Sequence, residues 1–458
     1  MTSTDDTTGI ASTHAELARR AVSALVKIAD TDHWGKDLHQ ELTYFLAGAS
    51  SAQAEHYYMV WLDEWRERWM AAREEGDQDA EAAAEADFRE EVRSALGWRP
   101  SARRELRSKV GKWTQADRQL LTAADIRKAL GLGEEFRGWT EALEEVTGPF
   151  LSPDIPEGDE LIALMEELEI PQEDHADIAA AVDAVTDVDS SWLWLLERIF
   201  SLIRSRMGNS LNIPVGPVMR DHGSAGWWFY VVAFLAAAPA VRGFHRLIKV
   251  PAETSAATLG ILGEKIAVYR RGDSGHGGLV QHDYVMAAFC GRLYRLEQLD
   301  CLAWNGQVDV RVPHGAHPLT TVPDQAWADR VHAFFRRLPQ EYGQGIRWGQ
   351  SALTVNVEGW MVDPDLNDYL PEDHDLRRFV AELGSFTRRH DLHPAQDQLG
   401  LTGGDRDAIE YAFGRYVWDL GDALALTAET DTQRAVLAHL QAGHHWTRPA
   451  AGHPIFSY

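Results

Sequence analysis

The residues best suited to bind an anion lie in the stretch RVPHGAHPLTTVPDQAW, residues 311–327. A β-strand is predicted before this stretch and an α-helix at its end, which leaves His314, Gly315, Thr320 and Thr321 in the connecting loop. Free backbone N–H groups and the positive end of the helix dipole face a ligand at such a loop. Because most strand–loop–helix units bind nothing, the pattern permits a phosphate site without requiring one.

A second stretch with chemical potential is GWMVDPDLNDYLPEDHDLRRF, Gly359–Phe379. It follows SALTVNVEGW, in which Leu353, Val355 and Val357 alternate with polar residues, the pattern of a β-strand with one apolar face. The residues after Gly359 predict a one-turn helix that ends at a proline, followed by the start of another helix.

Patterns for metal chemistry are weak. The sequence contains no H-E-x-x-H and no E-x-x-H motif, so a metalloprotease or a di-iron site lacks its usual ligand pair. Side chains in the N-terminal region could still approach one another, namely His33, His39, Glu41, Glu55 and His56. An oxidative or metal-dependent activity in residues 1–150 therefore stays open as an alternative, although no metal is expected.

Composition narrows the class of protein. The chain has 458 residues and a formal net charge of −26, which argues against nucleic-acid or anionic-membrane partners and favours a cytoplasmic protein. Its two cysteines, Cys290 and Cys301, exclude a disulfide scaffold. The N-terminus lacks the features of a signal peptide. The longest apolar run, Ala225–Val241, contains Pro239 and is interpreted as a buried helix rather than a membrane span.

The sequence patterns divide the chain into helical, linker and mixed helix–strand regions. Residues 1–150 are predicted to form an α-helical N-terminal region. Thr147–Asp159 is rich in proline and glycine, which is typical of a linker. Further helices follow. Three antiparallel strands are predicted between Leu279 and Gly315, with a hairpin at Asn305–Gly306, and then a helix from Trp327 to Leu338 and the alternating strand. Strands connected through a helix predict an α/β (α+β) fold with helices covering a mixed sheet.

Residues from about 160 to the end resemble an actinobacterial family of GNAT-like acyltransferases with paired N-terminal and C-terminal domains. The resemblance rests on the order of several segments: WWFYVVAFLAAAPAVRGFHR, IAVYRR with GHGGL, GRLYRLEQL, VRVPHGAHPLT, the stretch Gly359–Phe379, and AVLAHLQAGHHW. It implies a helical N-acyltransferase N-terminal-like domain at 151–215 and a GNAT-like acyltransferase domain at 216–458. Residues 1–150 lie outside it.

The resemblance also implies a cleft. In the GNAT fold two neighbouring strands splay apart, here Val308–Pro313 and Ser351–Glu358, and the pantetheine arm of an acyl-CoA enters between them. Its pyrophosphate would rest on Gly315–Thr321. The residues that would bind the co-substrate are His314, Gly315, Thr320, Thr321, Thr354 and Val355. Tyr369 would protonate the departing thiolate.

This chain departs from the family at two motifs, and these departures limit which residue roles can be transferred to it. The R/Q-x-x-G-x-G/A pyrophosphate pattern is missing, and family members carry a Cys-His-Ser-Trp run where this chain reads VEGW, Val357–Trp360. Chemistry assigned to that Cys or His cannot be transferred. Glu358 stands in the neighbourhood and is the predicted base, with Glu297, His314 and His317 in reserve for base or acceptor binding.

The function predicted is transfer of an acyl group from acyl-CoA, or from a carrier-protein thioester, to an amine of a small molecule or peptide. The alternative is a catalytically inactive GNAT-like binding module whose helical N-terminal region binds a partner. The sequence does not fix the oligomeric state.

Overall fold

A computed structural model describes residues 121–146, 155–187, 190–207, 214–248, 250–272, 276–304, 307–314, 325–337, 353–382, 387–389, 399–448 and 450–455, with single positions 71, 80 and 153. These residues fall into two compact units, one containing residues up to 162 together with 177–251, the other containing 163–176 and the chain from 252 onward. The metal-ligand candidates of the N-terminal region, His33, His39, Glu41, Glu55 and His56, lie outside the described residues.

The described part of the first unit is helical. Its helices, two of which continue into the second unit, are α1 (Ala123–Leu130), α2 (Arg137–Glu144), α3 (Gly158–Glu167), α4 (His175–Thr186), α5 (Ser191–Arg206), α6 (Gly223–Trp227) and α7 (Phe229–Leu247), with a 3-10 turn at Glu134–Phe136.

Local chemistry explains several boundaries in this unit. The Ser190 side chain accepts a hydrogen bond from Trp192 N at 3.1 Å and caps the N-terminus of α5. Helix α7 contains Pro239 and is buried along most of its length, so the apolar run forms core against α5. No helix among the described residues is both long and apolar enough to cross a membrane.

The second unit combines helices with a sheet. Its helices are α8 (Ala252–Gly272), α9 (His282–Phe289), α10 (Gln325–Arg337), α11 (Leu366–Tyr369), α12 (Asp375–Glu382), α13 (Gly403–Phe413), α14 (Leu420–Leu424) and α15 (Asp431–Gln441), with 3-10 turns at Gln172–Asp174 and Trp360–Val362. Its strands are β1 (Leu293–Leu296), β2 (Leu299–Trp304), β3 (Gln307–Arg311), β4 (Leu353–Glu358), β5 (Thr387–Arg389) and β6 (Ala450–Ile455).

The sheet has the order β1-β2-β3-β4-β6-β5. Strands β1, β2 and β3 are antiparallel, as predicted, and β2 and β3 are joined through residues 305 and 306 with Trp304 opposite Gln307. Strand β4 runs parallel to β3 and antiparallel to β6. A parallel pair needs a crossover connection, and α10 lies in the chain between its strands. The predicted mixed α/β architecture is thus confirmed.

One sequence prediction for this unit is wrong and another is confirmed. Helix α9 occupies His282–Phe289, within the stretch for which only strands were predicted. The segment after β4 has the predicted form, with the turn Trp360–Val362, the one-turn helix α11, and α12 in succession.

Candidate active site

Strands β3 and β4 lie side by side at the centre of the sheet and stop pairing before either strand ends. Their last aligned pair is Val310 with Val357. One residue further on, Arg311 is still aligned with Asp300 of β2, and Glu358 is still aligned with Ala450 of β6. The aligned pairs between β3 and β4 therefore cover four positions and end one residue before the pairs with the outer neighbours do. We call the carboxyl ends of β3 and β4 beyond Val310 and Val357 the parted ends, and the candidate site is built around them.

The backbone turns sharply where β4 ends. Gly359 has φ 148° and ψ 172°, a region that is essentially restricted to glycine. The turn leads directly into Trp360–Val362, so the chain leaves the sheet at the point where β3 and β4 part. A glycine at this position allows β4 to end abruptly instead of continuing alongside β3.

We expect Gly359→Ala to lower the free energy of unfolding by about 1–3 kcal/mol, because the new Cβ forces a strained backbone. The added Cβ also meets Met361 Cε at 3.3 Å. Chemical denaturation measures the loss. Gly138→Ala is the matched control, since a Cβ there meets nothing within 4 Å. Equal effects of the two substitutions would show that the conformation of Gly359 imposes no constraint.

The two faces of the parallel pair differ in chemistry. One face carries Val308, Val310, Val355 and Val357, all fully buried, and α10 packs against β4. The opposite face carries polar groups, and there Asn356 Nδ2 donates a hydrogen bond of 3.0 Å to Asp309 Oδ1. Since one face is filled by apolar side chains, polar chemistry at the parted strands belongs to the other face.

A buried ionic network continues the polar face toward the edge of the sheet. Arg295 on β1 donates to Asp300 at 2.7 and 3.0 Å and to Glu264 at 2.6 Å. The Tyr284 hydroxyl donates to Asp300 at 2.8 Å, and burial together with the Asp300 charge holds the pKa of Tyr284 well above its ordinary value. Tyr284 is therefore a protonated donor at neutral pH, and this network is structural.

An aromatic cluster fixes the helix that follows β4. Trp446 is fully buried; its ring stacks on His439 with 4.0 Å between centroids and meets Trp360 edge-on at 5.4 Å. The Tyr369 ring lies edge-on to His439 at 5.4 Å. Burial lowers the pKa of His439, so the imidazole against Tyr369 is neutral at pH 7. The cluster orients Tyr369, and no hydrogen bond within the described part of the chain occupies its hydroxyl.

The structure places the predicted site residues unequally. Glu358 is the last residue of β4, at the parting of the strands. Thr354 and Val355 lie further back, where β4 has neighbours on both sides. His314 Nδ1 is within 2.9 Å of the Tyr411 carbonyl oxygen, which ties the end of the β3 segment to α13.

Another predicted residue lies in a turn at the same end of the sheet as Arg311, and the rest lie outside the described residues. Glu297 occupies the turn between β1 and β2 and forms an exposed ion pair with Arg330 at 3.1 Å. Gly315, His317, Thr320 and Thr321 lie outside the described residues.

Sequence reasoning missed the Asp309–Asn356 pair. Both residues are polar positions in the interior of strands, where aspartate and asparagine are depleted. That depletion was the available signal. The partners are 47 positions apart in the chain, so their contact depends on the register of β3 and β4.

Comparisons with known proteins identify related domains. Two family models match in tandem, the N-acyltransferase N-terminal domain at residues 159–291 and the GNAT-like C-terminal domain at residues 294–452. No curated protein matches the sequence.

Solved structures are similar over a larger part of the chain. An acyltransferase in complex with decanoyl-CoA is 31% identical, with 73% of this chain and 100% of that chain covered and a TM-score of 0.59. An acyltransferase in complex with CoA and 10C-Teicoplanin has the same identity and coverage and a TM-score of 0.60. Another, in complex with decanoyl-CoA and teicoplanin, is also 31% identical over the same shares, with a TM-score of 0.59.

The tandem domain matches, the full coverage of 31% identical relatives and the parted strands of the sheet lead to one conclusion: this chain belongs to the family of acyltransferases that join an N-acyltransferase N-terminal domain to a GNAT-like C-terminal domain.

Proposed function

We propose that this protein transfers an acyl group from an acyl-CoA thioester to an amine on a small molecule, with the parted ends of β3 and β4 as the place where the thioester lies. Relatives in complex with decanoyl-CoA, and with decanoyl-CoA and teicoplanin, support a fatty acyl-CoA donor and a small-molecule acceptor. A carrier-protein thioester as donor and a peptide as acceptor are the other combinations that the site chemistry allows.

One observation carries the proposal. Beyond the pair Val310–Val357, Arg311 of β3 and Glu358 of β4 are not paired with each other, although each is still paired with its outer neighbour. An extended ligand with amide groups binds such an edge as an added strand does, through main-chain hydrogen bonds. The pantetheine arm of CoA is a slender chain of this kind, so it suits the gap.

The reaction then proceeds as a direct transfer. The amine nitrogen attacks the thioester carbonyl carbon, the C–S bond breaks, and the electron pair leaves on sulfur. One proton leaves the nitrogen and one proton arrives at the thiolate, so a base and an acid are required. Backbone N–H groups at the end of β4 would polarise the carbonyl oxygen.

We assign the base to Glu358, directly or through water, and the acid to Tyr369. Glu358 stands at the parting of the strands. Tyr369 ends the one-turn helix α11, which follows β4 closely in the chain, and its ring is held by the aromatic cluster. A tyrosine hydroxyl carries an O–H donor and can supply the proton that the leaving thiolate takes up.

Glu358→Gln and Tyr369→Phe should each lower turnover by roughly 10- to 1,000-fold, within the range of lost acid–base groups. The loss should appear in kcat, because both groups act on protons that move during the reaction. Asp368→Asn, at an exposed neighbour of Tyr369, is the control substitution. Unchanged turnover in both variants would remove Glu358 and Tyr369 from the mechanism.

The proposed function is tested by isothermal titration with decanoyl-CoA, followed by mass spectrometry of amine acceptors, including teicoplanin, incubated with the protein and decanoyl-CoA. We expect saturable binding and a mass gain of one decanoyl group with release of free CoA. A catalytically inactive binding module would form no acylated product. Absence of decanoyl-CoA binding would contradict the donor assignment.

A further inference from the structure

Asp309 and Asn356 lie next to each other at the base of the parted strands. They are aligned across β3 and β4, one position before the last aligned pair, and on the polar face of the sheet. Asp309 is partly exposed, whereas Asn356 is 8% exposed. A partly exposed carboxylate therefore stands directly beneath the gap.

The described hydrogen bonds of Asp309 come from neutral amides and not from a cationic side chain. Its oxygens accept from Asn356 Nδ2 at 3.0 Å and from Gln307 Nε2 at 3.4 Å, and both donors are neutral amides. Within the described part of the chain no cationic side chain forms an ion pair with it. A carboxylate has about four acceptor positions, so capacity for a donor from a ligand remains.

The neighbouring carboxylate on the same face has a different environment. Asp300 is 1% exposed and is neutralised by Arg295, with a further hydrogen bond from Tyr284. Asp300 thus belongs to the buried network, and its charge is already paired. Of these two carboxylates, Asp309 is the one able to attract a cation.

The direction of approach follows from the packing of the sheet. Valine side chains fill the opposite face of β3 and β4, and α10 packs against β4. Among the described residues, the polar side chains of β3 and β4 lie on the face that carries Asp309, so an amine that reaches a thioester held between the strands meets them there. At neutral pH most alkyl amines are protonated, so the arriving group is a cation with N–H donors.

We propose that Asp309 is the carboxylate that binds the amine of the acceptor, and that Asn356 is a positioning residue that holds this carboxylate toward the gap. The inference rests on the proposed acyl transfer. The ammonium group of the acceptor donates a hydrogen bond to Asp309 and is thereby placed beside the thioester carbonyl. The ammonium loses one proton to solvent before attack, and Glu358 takes the second proton from the nitrogen as the C–N bond forms, so that Asp309 governs binding and Glu358 governs turnover.

Other charges on this face bear on the pH dependence. Among the described residues, the titratable and charged groups on this face include Arg295, Asp300 and Arg311 on the strands and Glu264, Lys265 and Tyr284 on the helices packed against it. Asp300 and Glu264 are paired with Arg295, and Lys265 is paired with Glu410 on α13. Residue 358, also a glutamate, ends β4.

Asp309→Asn removes the negative charge of the side chain and changes its shape little. With decanoyl-CoA and an amine acceptor that the wild type acylates, we expect the KM for the amine at pH 7 to rise about 10- to 100-fold, the range for a hydrogen bond to a charged group. The change in kcat should be much smaller. Decanoyl-CoA affinity, measured by titration, should stay within about twofold, because the donor is held by backbone.

The pH profile separates a binding role from a structural one. As pH rises through the pKa of the acceptor amine, the ammonium disappears and the advantage of a carboxylate disappears with it. The KM ratio between Asp309→Asn and wild type should therefore shrink at high pH. Asp309→Glu, which keeps the charge, should recover part of the affinity. Asn356→Ala should raise the KM only a few-fold with the pH trend retained.

Asp422→Asn serves as the matched control, because it removes one exposed carboxylate from α14. A KM for the amine that is unchanged in Asp309→Asn would overturn the inference, and so would a KM ratio that does not vary with pH. Loss of decanoyl-CoA binding in Asp309→Asn would assign the residue a structural role instead. A wild-type protein that binds decanoyl-CoA but acylates no amine would overturn the proposed function, and the role of Asp309 with it.

Discussion

Glu410→Gln is expected to lower the free energy of unfolding by about 3–5 kcal/mol at pH 7, the cost of leaving one charge of a buried ion pair without its partner. Lys265 Nζ on α8 donates to Glu410 Oε1 on α13, and both side chains are almost fully buried. Glu410 Oε2 also accepts a 2.7 Å hydrogen bond from Gln281. Glutamine keeps an acceptor for Gln281, so the substitution chiefly removes the charge.

The pH dependence of this effect has a definite sign. Burial alone would lower the pKa of Lys265, but the charges of Glu410 and Glu264 outweigh burial and raise it. A raised lysine pKa contributes stability that is complete below the unfolded-state value of about 10.4 and is lost as pH rises through the folded-state value. The difference between wild type and Glu410→Gln should therefore be largest near neutrality and shrink at strongly alkaline pH.

A double substitution provides the control. Combining Glu410→Gln with Lys265→Met removes both charges, and replacing a buried pair by neutral groups is often nearly neutral in stability. Denaturant unfolding should show that the double variant recovers most of the loss. If Lys265→Met added a further loss to that of Glu410→Gln, the two charges would not be coupled as the contact implies.

Trp446→Ala is expected to cost about 3–5 kcal/mol of stability, as for a large aromatic side chain removed from a core. The indole is fully buried and contacts the rings of Trp360, His439 and Tyr369. Its removal also frees Tyr369 to rotate. Acyl transfer should therefore fall even at temperatures where the variant is fully folded.

Trp446→Phe tests whether a smaller aromatic ring is enough to hold the cluster together. It keeps an aromatic ring between His439 and Trp360, so it should lose less stability and retain more activity than the alanine variant. Thermal unfolding and acyl transfer measured on the same preparations test both points. Full activity of folded Trp446→Ala would show that the aromatic cluster does not position Tyr369 for the reaction.

Several elements followed from local sequence. The alternation of Leu353, Val355 and Val357 predicted β4. The spacing of Trp327, Val331 and Phe335 predicted α10, and all three are buried. Such local patterns predict the elements correctly because a strand with one apolar face, or a helix with one apolar stripe, must bury that surface.

Other features depend on contacts between distant parts of the chain. Lys265 and Glu410 are 145 positions apart, so no local sequence pattern predicts their ion pair. Helix α9 was missed because HDYVMAAF is short and mixes residues that favour strands with others that favour helices. The role of Gly359 depends on a backbone angle that the residue type permits but does not require.

The domain division at residue 216 stays a prediction. The match to the N-acyltransferase N-terminal domain crosses that position and runs to residue 291. Helical packing and apolar composition look alike on both sides of residue 216, whereas the change from helix to sheet at β1 coincides with the start of the second family match at residue 294.

A crystal structure of this protein with decanoyl-CoA is the most direct test of the central claim, that the gap between β3 and β4 admits the thioester arm. We expect the pantetheine amides to hydrogen-bond to backbone at Arg311 and at Glu358–Gly359, with the thioester carbonyl beside Glu358. Density for the arm elsewhere, with β3 and β4 paired past Val310 and Val357 in the complex, would contradict the account.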